Sequence, residues 1–316
     1  MGNSKYIVEE AEKLIGMRFP VLDHGHVTLL DYSGNDNAIE DGARVSYTGG
    51  DTEERTFEQT RGLLRYLMRH RHTSPFELVT FKFHITSPIF VWRQWIRHRT
   101  CSTNEISGRY AVLPDVYYCP EEHRLQLQAE SNKQGSADEC VAYADQHSLQ
   151  IADEQKAARE AYEGRVAAGM AKEVARINLP VSQYTSAVWQ MNLHNLLHFV
   201  SLRLHPHAQY EIRVYAQVIA DIVRTVCPLA WEAFYDFRVD TLTFNRDELW
   251  FMAEYKVGAD NATAYAKSIT DALLEVKLAN KEGRPPNGAN FLNLFKTRRE
   301  AAEFADKLVR LYEVKE

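Results

Sequence analysis

Short segments in which apolar residues alternate are separated along this chain by longer segments with helical periodicity. Phe81, Phe83 and Ile85 recur at every second position, which predicts a strand within residues 76–86. Looser alternation predicts two further strands, at 26–31 and 184–193. Apolar residues three and four apart predict helices over 35–46, 195–204 and 207–226. The chain therefore mixes strands and helices, and its 316 residues can bury a large core in one domain or two.

Composition excludes several classes of protein. With 45% hydrophobic and 25% charged residues, the chain is not collagen-like, disordered or a disulfide scaffold. No apolar run approaches the ~20 residues of a membrane span, and residues 1–19 lack the apolar segment of a secretory signal, so a cytoplasmic protein is expected. The four cysteines form no CxxC pair, which excludes a zinc ribbon and favours free thiols.

Positive charge is concentrated in one part of an acidic chain. Residues 61–110 contain nine Arg or Lys against two Glu, a net charge of +7, which leaves −13 for the rest of a chain whose total is −6. A basic block within an acidic protein favours a local anionic ligand over a surface that coats nucleic acid.

Local signals between these segments add further expectations. Ser87-Pro88 predicts the start of a helix, with Ser as the cap and Pro in the first turn. Residues 100–109 are small and polar and predict a loop, whereas 110–118 predict a strand, and a helix with a break is predicted over 137–168. From about residue 238 three helical segments are expected, at 246–257, 260–281 and 291–314. A linker is expected between the last two, at 283–288.

Glycine loops that bind phosphate are missing from the sequence. No glycines have GxGxxG spacing, and although Gly164 and Gly169 have the spacing of a P-loop, Met170-Ala171 replaces the required Lys and Ser or Thr. Any bound phosphate would therefore be held by guanidinium groups, whose planar fork can bond two phosphate oxygens at once.

The densest polar segment starts at a predicted helix end with Arg97-His98-Arg99. One interpretation is an ordinary solvated basic helix end. However, Trp92 and Trp95 predict that this helix is partly buried, and cations near a buried helix need partners. The polar residues around it are Gln94, Ser102, Asn104, Glu105, Ser107, Arg109 and Tyr110.

A second polar cluster lies further along the chain, where His194 and His198 share one helix face. Paired imidazoles at this spacing can bind zinc, and the other interpretation is a polar helix surface. Since no HExxH motif is present and no acidic residue is convincingly placed as a third ligand, no metal site is predicted. The remaining members are Asn192, Arg203, His207, Gln209 and Glu211, with Arg176 as an isolated third element.

Residues 97–107 read RHRTCSTNEIS and resemble the RHRxxSxNExS signature of flavin-dependent thymidylate synthases. The GRY at 108–110 continues the match. HTSPFE at 72–77, EVAR at 173–176 and the stretch from Leu202-Arg203 to Glu211-Ile212 resemble other motifs of that family. The similarity covers about residues 20–237, and the segment 238–316 resembles nothing in the family.

This resemblance implies the fold and the reaction. The fold would be α+β, a twisted antiparallel sheet flanked by helices, with a core at 1–237, an insertion at about 119–150 and a helical extension of unknown role at 238–316. The reaction would methylate dUMP at C5 to dTMP, with 5,10-methylenetetrahydrofolate as carbon donor, FAD as hydride carrier and NADPH as reductant. A homotetramer with active sites at subunit interfaces is implied, with small-molecule substrates and neither nucleic acid nor membrane as partner.

The resemblance also assigns roles to single residues. Arg203 would be catalytic, because a fixed cation at the uracil edge favours ionisation at N3 and stabilises negative charge on the ring. The residues implied to bind dUMP are Gln94, Arg97, Glu105, Ile106, Ser107, Gly108, Arg109, Arg176 and Arg203. The residues implied to bind FAD are Ser74, Arg97, His98, Arg99, Glu105, Asn192, His194 and His198.

Two positions depart from the family pattern. His194 stands where several relatives have Arg, so a permanent charge is lost at that position, and His198 stands where some relatives have Asn. The alternative functions are the same chemistry on UMP or another pyrimidine nucleotide, a non-catalytic nucleotide- or RNA-binding protein that uses the basic block, and a metal-dependent hydrolase built on the histidines.

Overall fold

The computed structural model describes residues 6–49, 55–129, 135–258, 260–287 and 290–313. The chain divides into two compact units, Met1–Val239 and Asp240–Glu316. No helix among the described residues combines the length and the apolar character needed to cross a membrane. The four cysteines are free thiols, as predicted.

The first unit is built on an antiparallel sheet. Its strands are Arg18–Val21 (β1), Gly25–Ser33 (β2), Thr80–Pro88 (β3), Ser102–Glu105 (β4) and Tyr184–Asn192 (β7). They are ordered β1-β2-β3-β7-β4, so β4 forms one edge. The strands predicted at 26–31, 76–86 and 184–193 are β2, β3 and β7, and the predicted α+β class is confirmed.

Helices of the first unit flank this sheet. They are Glu9–Glu12 (α1), Asp36–Thr48 (α2), Phe57–Arg69 (α3), Ile89–Trp95 (α4), Ala144–Ala167 (α5), Lys172–Ala175 (α6), Leu193–Arg203 (α7), Tyr210–Val226 (α8) and Pro228–Phe234 (α9). Short 3-10 turns cover Ser74–Leu78, Glu122–Arg124 and Arg176–Asn178, and one π-helical turn covers Tyr235–Val239. The helices predicted over 35–46, 195–204 and 207–226 correspond to α2, α7 and α8.

One face of the sheet carries the core. Phe81, Phe83 and Ile85 point inward from β3 at every second position, as the pattern predicts, and are fully buried. Trp95 of α4, Trp189 of β7 and Phe199 of α7 meet there with ring centroids 5.1–5.4 Å apart. Each such aromatic contributes about 2–3 kcal/mol through burial, so α4 and α7 are fixed rigidly against the sheet.

The helix predicted after Ser87-Pro88 is present as α4, but it begins at Ile89, and the predicted Ser cap and helical Pro are wrong. Both residues belong to β3 and pair with Thr185 and Tyr184 of β7, and the Ser87 side chain is buried. The first amides of α4, those of Ile89 and Phe90, donate instead to the carbonyls of Gln183 and Val181, at 2.9 Å each. Because those backbone carbonyls satisfy the helix N-terminus, α4 needs no side-chain cap.

The predicted loop at 100–109 is also wrong in part, because Ser102–Glu105 forms β4. Its side chains are all exposed, so it lacks the apolar alternation that identifies a half-buried strand. Conversely, 110–118 is not a strand. Tyr117 makes only an isolated bridge to Gln183, and the segment buries Leu113 and Tyr118 singly.

The segment 119–150 contains a small hairpin that the sequence did not predict. Gln126–Gln128 (β5) pairs with Ser136–Cys140 (β6), and residues 130–134 lie outside the described part. The helix predicted with a break over 137–168 is the unbroken α5, which begins only at Ala144 because β6 occupies the residues before it.

The second unit is helical, with a core of its own. Its helices are Arg246–Glu254 (α10), Ala262–Glu282 (α11) and Arg298–Glu313 (α12), with a 3-10 turn over Asn290–Leu294. Phe251, Ile269 and Phe304 are buried together in this core. Residue 288, at the end of the linker predicted over 283–288, lies outside the described residues.

Candidate active site

The basic triplet follows α4 directly, because Trp92 and Trp95 bury the last turn of that helix against the sheet. The chain then turns into the edge strand β4. Arg97 and Arg99 are exposed, whereas His98 between them is only 8% exposed. The triplet is therefore not a simple solvated helix end: its central ring packs inward, 4.9 Å from the Phe199 ring.

His98 contacts Arg203, at the end of α7. The Arg203 Nε donates to His98 Nε2 at 3.0 Å, and its Nη2 donates to the Gln94 carbonyl at 3.3 Å. Burial, together with the nearby Arg203 and His198, lowers the pKa of His98 to about 4, so the ring is neutral near pH 7 and can accept this bond. Burial also lowers the pKa of Arg203, but a guanidinium keeps its charge in proteins.

These residues, Arg97, His98, Arg99 and Arg203, form what we name the Arg203 cluster. It borders a cavity of about 260 Å³ whose other walls include Thr100, Asn195 and His198. Among the described residues, no carboxylate lines this cavity or pairs with any of its three arginines. Three cations without an acidic partner among the described residues give this cavity a charge that suits an anionic ligand.

Residues at the C-terminal end of the edge strand are tied to the sheet. Glu105 Oε1 accepts from Thr185 Oγ1 at 2.5 Å, and the Ile106 amide donates to the Ser186 carbonyl at 2.9 Å. Near the other end, the Gln94 side-chain amide donates to Gln209 Oε1. The orientation of Glu105 and Gln94 is thus set by neighbouring polar groups.

Beyond Glu105 the chain forms a second group, the Arg176 cluster, which consists of Ser107, Gly108, Arg109 and Arg176. Gly108 is buried against Arg176: a Cβ at this glycine would lie 3.0 Å from Arg176 Cδ and 3.1 Å from Arg176 Nη1. Arg109 is exposed and pairs with Glu173 at 3.3 Å, and Ser107 Oγ accepts from the Arg109 amide at 3.3 Å. Only a small side chain fits this approach, which accounts for glycine here.

The two clusters lie at opposite ends of β4. Ser102 pairs with Gln190 and Glu105 pairs with Ala187, so the strand advances along β7 between them. Three residues of strand span about 10 Å, and the clusters begin beyond each end. The structure therefore brings Arg97, His98, Arg99 and Arg203 together, and separately Ser107, Gly108, Arg109 and Arg176, but does not bring the two groups into contact within one chain.

The remaining residues predicted to bind FAD lie around α7 and the turn at Ser74–Leu78. His194 and His198 share a face, as predicted, and line a cavity of about 210 Å³ with His72 and Thr73. Ser74 borders an adjoining space of about 640 Å³ with His72. Asn192 is the N-cap of α7 and accepts from the Asn195 amide at 3.0 Å, so its side chain also has a structural role.

Some neighbours of these residues were not predicted. Thr185, which orients Glu105, lies on a strand and carries no sequence signal beyond its type. Arg71 and Arg238 line the same cavity as His194 and His198. Arg71 has a left-handed backbone conformation, with φ +60°, and Arg238 lies in the π-helical turn at Tyr235–Val239. The periodicity of the sequence signals neither conformation.

Comparisons with known proteins identify the family. A family model described as thymidylate synthase complementing protein matches residues 28–229. A protein of Thermus thermophilus named flavin-dependent thymidylate synthase is 49% identical over 234 residues, 74% of this chain and 84% of its own length. A protein of the same name from Wolbachia pipientis is 43% identical over 247 residues, 77% of this chain and 85% of its own.

A solved structure is similar as well. The crystal structure of a UMP/dUMP methylase PolB from Streptomyces cacaoi, bound with 5-Br dUMP, is 35% identical, with a TM-score of 0.64. The match covers 69% of this chain and 98% of that one. The signature includes the edge strand of the antiparallel sheet, and the relatives are similar over most of the chain. The chain therefore belongs to the flavin-dependent thymidylate synthases and is an enzyme of that family.

Proposed function

We propose that this enzyme methylates dUMP at C5 to give dTMP, with 5,10-methylenetetrahydrofolate as carbon donor, FAD as hydride carrier and NADPH as reductant, in the cytoplasm. The observation that carries the proposal is the Arg203 guanidinium, held by a neutral His98 and the Gln94 carbonyl beside a cavity that, among the described residues, is lined by no carboxylate. The names of the relatives support the same chemistry.

The residues present fit a flavin dinucleotide. A phosphate of the cofactor suits Arg97 and Arg99, whose guanidinium groups are exposed at the 260 Å³ cavity, and His98 lies between them. Ser74, Asn192, His194 and His198 would hold the rest of the cofactor, and Glu105 would contact it from β4. When bound, the flavin supplies the hydride that reduces the transferred carbon.

Arg203 would act on the uracil ring. Its two inward hydrogen bonds fix the guanidinium plane and leave Nη1 for a ligand. A cation preorganised in this way stabilises negative charge that develops on the ring, and ionisation at N3 would be favoured. Because His98 is neutral, it accepts from Arg203 without competing for the anionic ligand.

The other substrate-binding residues would hold the nucleotide from two directions. Gln94 and Arg97 belong to the end of α4, whereas Glu105, Ile106, Ser107, Gly108, Arg109 and Arg176 belong to the far end of β4. Arginines 109 and 176 would bind the nucleotide phosphate in place of a glycine loop. Since the two directions are separated by β4, one dUMP would be bound by the Arg203 cluster of one subunit and the Arg176 cluster of another.

This division supports a homotetramer with active sites at subunit interfaces. Large apolar side chains around the Arg176 cluster are exposed, among them Tyr110 at 79% and Ile177 at 71%. Val174 and Val181 beside them are also exposed. A contiguous apolar surface next to half of a binding site is typical of a subunit contact.

UMP is the second candidate substrate. The similar structure from Streptomyces cacaoi is a UMP/dUMP methylase, as its title says. Acceptance of UMP by this chain would require space at the ribose 2′ position, which one or two contacts decide.

The test uses purified full-length protein. The protein is expected to be yellow, with a flavin spectrum that bleaches on anaerobic addition of NADPH. When dUMP and 5,10-methylenetetrahydrofolate are also present, it should release dTMP, which mass spectrometry detects. Parallel reactions with dUMP and UMP identify the substrate. A colourless protein that takes up no FAD and binds RNA would contradict the proposal and favour the non-catalytic alternative.

A further inference from the structure

The cavity of about 210 Å³ beside α7 contains two arginines to which none of the roles above applies. Arg71 follows the end of α3, and Arg238 lies in the π-helical turn, and both line the cavity with His194 and His198. Arg238 is beyond residue 229, where the family match ends. Arg238 therefore lies outside the matched segment, whereas Arg71 lies within it.

Both arginines are anchored to one backbone carbonyl. The Arg238 Nη2 donates to the Met68 carbonyl at 2.8 Å, and the Arg71 amide donates to the same oxygen at 3.3 Å. One reading is that Arg238 only caps the last turn of α3. That bond occupies one of five N–H groups, however, and leaves most of the guanidinium available.

The charge around them is unbalanced. On the same two segments, Arg65 pairs with Glu232 and Asp236, so carboxylates are close at hand. Yet among the described residues no carboxylate pairs with Arg71 or Arg238, and none lines the cavity. Burial and the proximity of Arg71 lower the pKa of Arg238, which agrees with two guanidinium groups facing one space.

We infer that Arg71 and Arg238 form a phosphate-binding site at this cavity, which supplies the permanent charge that His194 lacks there. The 2′-phosphate of NADPH and the whole diphosphate of FAD each carry about two negative charges and match two guanidinium groups, whereas one carboxylate neutralises a single cation. The phosphate would belong either to the diphosphate of FAD or to the 2′-phosphate of NADPH. Because both are ligands of the proposed function, this inference rests on that function and deepens it.

The test compares full-length Arg238→Gln and Arg71→Gln with Arg69→Gln, which removes an exposed charge from the same helix end. Gln at 238 can still donate to the Met68 carbonyl, so it removes charge without removing the cap, and Arg238→Lys keeps the charge. Calorimetric titration of the flavin-free protein with inorganic pyrophosphate is expected to lose one class of sites in the two Gln variants. Arg69→Gln and Arg238→Lys should retain it.

Two further measurements distinguish the sources. If the site holds the FAD diphosphate, FAD binds about tenfold more weakly to Arg238→Gln while riboflavin, which has no phosphate, binds as before. If it holds the 2′-phosphate of NADPH, flavin binding is unchanged and the advantage of NADPH over NADH in reducing the flavin falls about tenfold. Either result supports the site.

Unchanged pyrophosphate binding in both Gln variants overturns the inference. The inference is also overturned if the Gln variants lose the pyrophosphate site while their FAD binding and their preference for NADPH stay unchanged. The site would then hold an adventitious ion only. None of these measurements uses dUMP. Failure of dUMP conversion in the wild-type protein would therefore count against the proposed function and leave the pyrophosphate result to judge the site.

Discussion

The two ends of β4 differ in how firmly their polar groups are held. In the Arg203 cluster, His98 is buried, Arg203 makes two inward hydrogen bonds and the aromatic core lies directly beneath. In the Arg176 cluster, Arg109 and its partner Glu173 are both more than half exposed, and apolar neighbours such as Ile177 face solvent. One end is preorganised by buried contacts within its own chain, whereas the other is held by fewer such contacts and is more exposed.

The largest effect is expected at the preorganised end. Arg203→Ala should lower kcat by about 10²–10³-fold, because a fixed cation at the reacting ring acts mainly on the transition state. Folding and flavin binding should persist, since Arg203 lies at the end of α7 and contributes no core side chain. Steady-state kinetics with dUMP and the flavin absorbance spectrum measure the two effects.

Arg224→Ala is the matched control for this change. Arg224 is an exposed arginine on α8 and lines none of the cavities around the site. The control should turn over like the wild type. Full activity in Arg203→Ala would remove the role that we give this residue.

The next effect tests whether the two ends meet across subunits. Arg203→Ala and Arg176→Ala should each be nearly inactive, but co-refolded or co-expressed mixtures should recover about a quarter of wild-type activity, because a quarter of the shared sites then have both arginines. Activity of the mixture is measured against that of each variant alone.

The same mixing experiment has a clear negative outcome. If both arginines served one site within one chain, no mixture could contain an intact site, and activity would stay at the level of the single variants. Mixing Arg203→Ala with itself, at the same total concentration, controls for refolding.

A third effect concerns the stability of the preorganised end. The folded pKa of His98 is about 4, below the ordinary 6.5, so between these values the unfolded chain binds more protons on this residue. Stability from His98 is therefore full above pH 6.5 and is lost as the pH falls towards 4, by at most about 3 kcal/mol. Urea unfolding of the wild type and His98→Gln at several pH values measures the difference.

Asp36 has the opposite effect and must cancel in that comparison. Burial raises its pKa to about 6 although it accepts from the Leu229 and Ala230 amides, so its contribution favours the folded state at low pH. Because both proteins contain Asp36, the difference between them isolates His98. A difference in unfolding free energy that does not change with pH would contradict the buried neutral ring.

The smallest effect is expected at the exposed end. Gly108→Ala places a methyl group 3.0 Å from both Arg176 Cδ and Leu113 Cδ1, so both side chains must move away by a few tenths of an ångström. The KM for dUMP should rise about threefold with little change in kcat, because ground-state binding is altered while Arg203 is untouched. A fall in kcat of the same size as the rise in KM would show that Arg176 acts in the transition state as well.

Most of the fold was predictable where side chains alternate between core and solvent. β3 and β7 have that pattern, and α8 has a continuous apolar face, so both strands and this helix were found from the sequence. β4 was missed because an edge strand with every side chain exposed has no pattern to detect. Ser87 was misread because pairing with β7 outweighs the local preference of Ser-Pro for a helix start.

The candidate site was predictable only in part, for a similar reason. Arg97, His98 and Arg99 are adjacent in the chain, but the contact of His98 with Arg203 spans 105 positions, and only the family resemblance linked these residues. Composition predicted that an anion would be bound by arginines. It could not predict which arginines lack acidic partners, because Arg65 and Arg71 look equivalent in sequence and differ only in what the fold places beside them.

The position of β4 at the sheet edge makes it a spacer of fixed length between two binding groups. A single inserted or deleted residue between Arg99 and Ser107 would shift the far group by about 3.3 Å and turn Glu105 to the opposite face of the sheet, away from Thr185. Changes of residue type within Ser102–Asn104 leave that length intact. The segment should therefore tolerate substitution far better than any change in the number of its residues.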